Sequence, residues 1–198
     1  MGRRNDHSRE EIREMALTAA TELLEQEGPV GMSARKIAGR IGYTVGTLYL
    51  VFENLDDLIF QVNLRTLKSL RSVLLYVTDS ISDPVTRLKG LADEYLHFAQ
   101  QNEHCWRMIY EHPHPQSSEI WDEYQATSDS LFHLVEETLI EIGSVDQHQV
   151  SLHARAVWGG VHGICILALS GKLNLDSEVS LKQVTDLLVT RFISGSPE

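Results

Sequence analysis

The chain has 198 residues, of which 42% are hydrophobic and 23% charged, with a formal net charge of −11. This composition is neither disordered nor fibrous and supplies one sizeable core or two small ones. There is no charged leader with an apolar run and cleavage site, and no uninterrupted apolar stretch of about 18 residues, so a soluble, cytoplasmic globular protein without a membrane partner is expected.

Cys105 and Cys165 lack CxxC spacing and fall inside helical patterns, which points to two buried free thiols rather than a disulfide framework or a zinc ribbon. The charge is unevenly divided. Residues 1–52 balance seven Lys/Arg against seven Asp/Glu, so the whole excess of acid lies in the remainder. Such a division suits a locally basic, DNA-contacting end on an acidic body that DNA repels, or acidic residues that simply keep helical faces solvated.

In chain order, Met1 to His7 reads as a polar arm carrying Arg3 and Arg4. Ser8-Arg9-Glu10-Glu11 has the form of a capping box, and a helix follows to about Gln26, with Ile12, Ala16, Ala19, Ala20 and Leu23 on one stripe. Gly28-Pro29 ends it. Ser33 is placed to cap a second helix through Ile37 and Ala38, Gly42 to make the turn, and Thr44 to cap a third helix in which Leu48 and Phe52 resume the apolar spacing.

Asn54 caps a fourth, long helix of about five turns through Leu58, Val62, Leu67, Leu70 and Leu74, with Asp56 and Asp57 complementing the dipole of its first turn. Asp83-Pro84 opens a fifth through Leu88, Tyr95 and Phe98. A short helix around Cys105 to Tyr110 is broken by His112-Pro113-His114-Pro115. Ser117 or Ser118 opens the next, which runs to Gly143; Asp146 caps an apolar helix from about Gln147 to Ser170; and Leu181 to Ile193 forms the last. With no strand of convincing alternation, the expected fold is all-α, about nine helices: a three-helix DNA-binding domain over 1–56 and a helical bundle over 57–198.

The stretch from Ser33 to Asn54 carries the chemistry. Two helices joined by so tight a turn form a helix-turn-helix, whose second helix can enter the major groove. Arg35, Lys36 and Arg40 bring cations beside the turn, and Thr44, Thr47 and Tyr49 bring hydroxyls suited to phosphate oxygens. The groove would meet Val45, Gly46 and Leu50, which read thymine methyl groups and backbone shape rather than making bidentate hydrogen bonds.

These residues resemble a known family. Ala19-Ala20, Leu23-Leu24, Gly28, Ser33-x-Arg35-x-Ile37-Ala38, Ile41-Gly42-Tyr43-x-Val45-Gly46-Thr47-Leu48-Tyr49, Phe52 and Leu58 resemble the DNA-binding domain of TetR-family transcriptional regulators over about the first 60 residues. The resemblance implies that Arg35, Thr47 and Tyr49 touch the phosphate backbone and that Val45, Gly46 and Leu50 face the groove, with Ser33, Lys36 and Thr44 completing the candidate DNA-binding set. Where members commonly carry lysines after the aromatic residue, this chain has Glu53 and Leu55, which implies weaker non-specific binding.

Trp158-Gly159-Gly160-Val161-His162-Gly163 resembles a C-terminal domain of the same family named for a Trp-His-Gly signature. Independently, Ala154, Gly159, Gly160 and Gly163 form a small-residue face that lets another helix approach closely; with Leu188 and Phe192 they are the candidate dimer interface, and the resemblance implies a four-helix contact from the last two helices of each subunit. Tyr95, Phe98, Trp106, Ile109, Trp121, Tyr124, Trp158 and His162 are candidates to line a ligand cavity, as the family implies, or to fill the core.

No nucleophile elbow, phosphate-binding glycine loop or metal-ligand spacing appears; His112 and His114 lie in a proline-broken loop without evident co-ligands. The expectation is therefore a non-enzymatic protein without metal or cofactor: a dimeric repressor released from a palindromic operator by a small molecule. The alternative is a helical protein-interaction or carrier module with a vestigial helix-turn-helix, to which Glu53, Leu55 and the acidic body point.

Overall fold

The computed structural model describes residues 7–113, 120–143, 145–176 and 179–194. They form nine α-helices and no strand, in agreement with the all-α expectation. Arg3, Arg4, His114, Ser117 and Ser118 lie outside the described residues.

α1 (Arg9–Glu27) opens on the capping box: Ser8 Oγ accepts from the Glu11 amide at 3.2 Å and the Glu11 carboxylate accepts from the Ser8 amide at 2.6 Å. The Ser8 amide, and after it the Ser8 hydroxyl, hold the Glu11 carboxyl below its usual range. α1 ends at Gly28, whose φ of 67° favours glycine, and a single 3-10 turn at Pro29–Gly31 leads to α2 (Ala34–Arg40).

α2 starts on Ser33, whose hydroxyl accepts from the Lys36 amide, and stops in a Schellman arrangement: Tyr43 N–H donates to Ala38 O at 2.9 Å and Gly42 N–H to Gly39 O at 3.2 Å, with Gly42 at φ 77°. α3 is only Val45–Leu48. The sequence spacing carried this helix on to Phe52, but Leu50 and Val51 instead bond three residues back, so the chain leaves α3 in tight turns.

α4 (Leu55–Ser80) begins with Asn54 Oδ1 accepting from the Asp57 amide at 2.8 Å. α5 (Pro84–Gln101) begins with Asp83 accepting from Thr86 N–H and carrying Pro84 in the first turn, as expected. α6 is Glu103–Glu111, α7 Trp121–Ile142, α8 Val150–Leu169 and α9 Leu181–Ser194. One expectation is corrected: α8 starts at Val150, not near Gln147. Asp146 spends its carboxylate on the His148 amide and its carbonyl on the Gln149 amide, closing a separate turn ahead of the helix.

The chain divides into two compact units. The first comprises residues 1–67 and 102–124; its core draws Ile12, Ala16, Leu24, Ile37, Leu48, Phe52, Leu58 and Val62 together with Cys105 and Met108 of α6. α6 is bound to it polar group by polar group: Asn63 Nδ2 donates to Met108 O at 3.1 Å, and the Cys105 amide donates to Glu25 Oε1 at 3.2 Å. Glu25 thereby caps α6 from another helix, since Asn102 at the N-cap position makes no such bond. Burial, with the Glu25 carboxylate beside it, pushes the Cys105 thiol well up, so it is an inert buried thiol.

The second unit comprises residues 68–101 and 125–198. Within it α5 packs on α8 and α9, and α8 on α9. Arg87, nearly buried, bridges Ile81 O, Ser82 O and Glu141 Oε2, tying the loop before α5 to α7.

Candidate functional site

The helix-turn-helix is held from behind. Leu48, the inward residue of α3, has no solvent exposure, and Ile37 has none on α2; burying each such side chain contributes about 1.5–3 kcal/mol to fixing the pair. With Leu48 turned in, Tyr49 (44% exposed), Leu50 (64% exposed) and Gly46 are left on the outer surface. A Cβ built on Gly46 would meet nothing closer than Thr44 Oγ1 at 3.7 Å, so this point of α3 offers its backbone to close approach.

Thr44 Oγ1 accepts from the Thr47 amide at 3.2 Å and lies 3.0 Å from Thr47 Oγ1. The two hydroxyls therefore act as a linked pair at the start of α3.

The three cations beside the turn are not equivalent. Lys36 Nζ lies 2.5 Å from Glu27 Oε2, and the Arg40 guanidinium lies 2.9 Å from Glu22 Oε2 and 3.1 Å from Gln26 Oε1. α1 thus neutralises both. Arg35 is exposed and makes no hydrogen bond or ion pair with any described residue. Past the turn the charge is acidic: Glu53 is exposed and its amide donates to Asp57 Oδ2 at 3.0 Å, while Asp56 is three-quarters exposed.

One contact was not visible in sequence. His7 Nδ1 lies 2.7 Å from the Tyr43 hydroxyl, with the rings edge to face, so the end of the N-terminal arm is fastened to the turn. The two residues are 36 positions apart and no local pattern links them.

The candidate ligand residues divide between the two units. Tyr95 and Trp158 line a cavity in the second unit with Leu74, Leu91, Leu134 and Val157. It encloses about 20 Å³, room on the order of one solvent molecule. The Tyr95 hydroxyl lies 2.6 Å from His162 Nδ1, and burial holds the His162 imidazole below its usual value. Phe98 is buried on α5 nearby in sequence.

Trp106, Ile109, Trp121 and Tyr124 belong to the first unit and are not among the residues lining that cavity. Phe60 stacks on Tyr124 at 4.7 Å and on Trp121 at 6.0 Å, and Trp106 tilts against Tyr110 at 5.2 Å.

The small-residue face of α8 also divides. Ala154 is fully enclosed, and a Cβ on Gly160 would sit 2.8 Å from Leu188 Cδ2, so Gly160 closes the α8 and α9 contact inside one subunit. Phe192 joins them, edge-on to His153 at 5.6 Å. Gly159 and Gly163 have nothing within 4 Å of an added Cβ. The exposed apolar side chains of α8 are Leu152 (68%), Ile166 and Leu167, and α9 exposes Leu187 (59%). By length and composition alone α8 is apolar enough to cross a bilayer, yet its Ala154, Val157, Val161 and Cys165 side is packed in the bundle.

Residues 16–62 match the bacterial regulatory proteins of the tetR family, and residues 88–192, which include the Trp158–Gly163 segment, match the tetracyclin repressor-like C-terminal domain. The HTH-type transcriptional regulator YobS of Bacillus subtilis (strain 168) is 26% identical over 188 residues, covering 91% of this chain and 90% of its own. Among solved structures, a protein of unknown function from Rhodococcus sp. RHA1 has a TM-score of 0.81 at 20% identity with both chains fully covered. The TetR-family regulator PfmR from Thermus thermophilus has a TM-score of 0.64 at 17% identity, covering 92% of this chain and 99% of its own. With both domain matches in order along it, and the helix-turn-helix formed by the residues that carry the signature, the chain belongs to the TetR family and is a DNA-binding transcriptional regulator.

Proposed function

We propose that the protein is a cytoplasmic homodimeric repressor that binds a palindromic DNA operator and releases it on binding a small molecule, with no catalytic step of its own. The observation that carries this reading is the outward face of the helix-turn-helix, where Arg35, Thr47, Tyr49 and Leu50 are presented around the open backbone at Gly46. Arg35, Thr44, Thr47 and Tyr49 take phosphate oxygens; Val45, Gly46 and Leu50 meet base edges; Ser33 and Lys36 orient α2. Residues 1–56 serve as the reading head and residues 57–198 as the ligand and dimer part.

Dimerisation is supported by the exposed apolar strip of α8 and α9 around Gly159, Gly163, Leu152 and Leu187. A second copy covers such a strip symmetrically, and the two heads then fall about 34–36 Å apart, one turn of DNA. The effector enters the cavity beside Tyr95 and Trp158, and because that space is small, it enters by parting helices. The displacement travels along α4, whose residues are shared between the two units, and spoils the spacing of the heads.

Selection of genomic fragments with the purified protein tests this. A recurrent palindrome with half-sites one helical turn apart is the expected result. Recovery of no enriched sequence favours a carrier or protein-binding module, the reading that Glu53 and the acidic body otherwise support.

A further inference from the structure

Between Leu48, the last residue of α3, and Leu55, the first of α4, the chain runs through tight turns, so no continuous helical ladder sets the stance of Tyr49 and Leu50. Side chains do it instead. Phe52, 3% exposed, anchors the segment from beneath. Beyond it the Glu53 amide donates to Asp57 Oδ2 at 3.0 Å, and Asn54 Oδ1 accepts from the Asp57 amide at 2.8 Å. Asp57 is thus the residue through which α4 grips the exit of α3.

Asp57 is itself held from α1. Its other oxygen, Oδ1, accepts from Gln61 Nε2 at 3.0 Å, one turn along α4, and Gln61 Oε1 accepts from Arg13 Nη1 at 2.7 Å. The Arg13 guanidinium also lies 5.2 Å over the Phe52 ring and 3.9 Å from the Glu10 carboxylate. The direction of this chain is fixed by chemistry. A guanidinium only donates and a carboxylate only accepts, so the Gln61 amide satisfies both in one orientation and in no other. Both of its bonds are to charged groups, which makes them the stronger kind.

We propose that Arg13, Gln61 and Asp57 form a positioning relay for DNA recognition, which fixes the Glu53 amide and thereby sets where Tyr49 and Leu50 stand against the operator, without itself touching DNA; the proposal rests on the reading that the outer face of the helix-turn-helix binds an operator. Arg13 spends its charge on Gln61, Glu10 and the Phe52 ring, so removing it costs geometry at the reading surface rather than a phosphate contact. A loss of geometry falls on the discrimination between sequences, whereas a lost phosphate contact weakens binding to every duplex and flattens its salt dependence.

The test uses the full-length protein and two duplexes: the palindrome recovered by fragment selection, and a scrambled duplex of the same length and composition. Filter binding across a salt series compares wild type, Arg13→Met, Gln61→Met, the double methionine variant, and Arg13→Met combined with Gln61→Lys; urea unfolding checks that each is folded in the assay. Each single methionine variant should lower the ratio of palindrome to scrambled affinity ~10-fold, the scale of one mis-set base contact, with scrambled affinity and salt slope unchanged. The double variant should lose no more than either single one, because the residues act as one chain. Gln61→Lys in the Arg13→Met background should restore the ratio, since a lysine four residues after Asp57 donates to it directly and returns the lost charge. Should a methionine variant be unfolded, Gln61→Glu, which keeps the Arg13 bond and loses the Asp57 bond, takes its place with the same expected fall in the ratio. If Arg13→Met weakens both duplexes together and reduces the slope by about 1, Arg13 is a phosphate contact and the relay is overturned. An unchanged ratio in the methionine variants, or no recovery with Gln61→Lys, overturns it as well, while discrimination by wild type leaves the operator reading standing. No preference for the palindrome in wild type overturns the operator reading, and the relay falls with it.

Discussion

Lys36 Nζ lies 2.5 Å from Glu27 Oε2, whereas its neighbour Arg35 meets no acidic group among the described residues. Two adjacent cations on α2 are thus electrostatically different, because α1 lays an acid beside one of them. On the proposed operator, Arg35→Ala should weaken binding to all sequences and reduce the slope of log affinity against log salt by about 1, while Lys36→Ala changes the slope less. Glu27→Gln frees Lys36 and should steepen the slope. Filter binding across a salt series measures all three, and equal losses for Arg35→Ala and Lys36→Ala would refute the distinction.

Leu50, two-thirds exposed beyond α3, is assigned to base edges, and Tyr49 to phosphate. Tyr49→Phe removes only the hydroxyl and should lower affinity uniformly over operator variants. Leu50→Ala should instead alter the ranking of variants, with changes of about 1–3 kcal/mol confined to the positions it meets. Competition with a panel of single-base operator variants separates the two patterns.

Gly160 and Gly159 are adjacent on α8 but face different partners. Gly160→Val forces a side chain against Leu188, whose Cδ2 would stand 2.8 Å from the new Cβ, and should destabilise the fold by about 1–3 kcal/mol. Gly159→Ala meets open space within the subunit and relieves the helical cost of glycine, so folding of the protomer should gain up to about 1 kcal/mol. Urea unfolding of dilute protein checks both signs.

The exposed Leu152 and Leu187 mark the strip assigned to a second copy. Since neither is buried in the single chain, Leu152→Glu with Leu187→Glu should leave helicity intact while shifting the protein from dimer to monomer and abolishing tight operator binding. Sedimentation velocity and circular dichroism on one sample decide it; a dimer that survives both changes places the interface elsewhere.

His162 is held neutral by burial, so its folded pKa lies below the unfolded value of about 6.5. Above about pH 6.5 neither state binds the proton and stability is at its full value. As pH falls through about 6.5 the unfolded chain takes up a proton that the folded one refuses, and stability drops until the folded pKa is passed. The urea midpoint should therefore decline between pH 7.5 and 5.5, and His162→Gln should decline less over that range.

Sequence by itself determined the helices, their caps and the turn of the reading head. The Ser8 and Glu11 box, the Ser33, Thr44, Asn54 and Asp83 caps and the Gly42 turn all form where local pattern placed them, because each is a bond between groups within about five residues. Where pattern was weaker the local reading slipped: α3 stops at Leu48, and Asp146 closes a turn rather than capping α8.

Tertiary structure alone decided which of these groups remain available. Lys36 is quenched by a carboxylate from α1, His7 is fastened to Tyr43, and α6 joins the first unit through Asn63 and Glu25, partners 45 and 80 residues from the groups they bind. The aromatic set, uniform in sequence, was divided between two cores, and the glycines of α8 between an internal contact and an open face. Hydrophobicity and helical spacing state that a side chain will be covered; only the packed chain states by what.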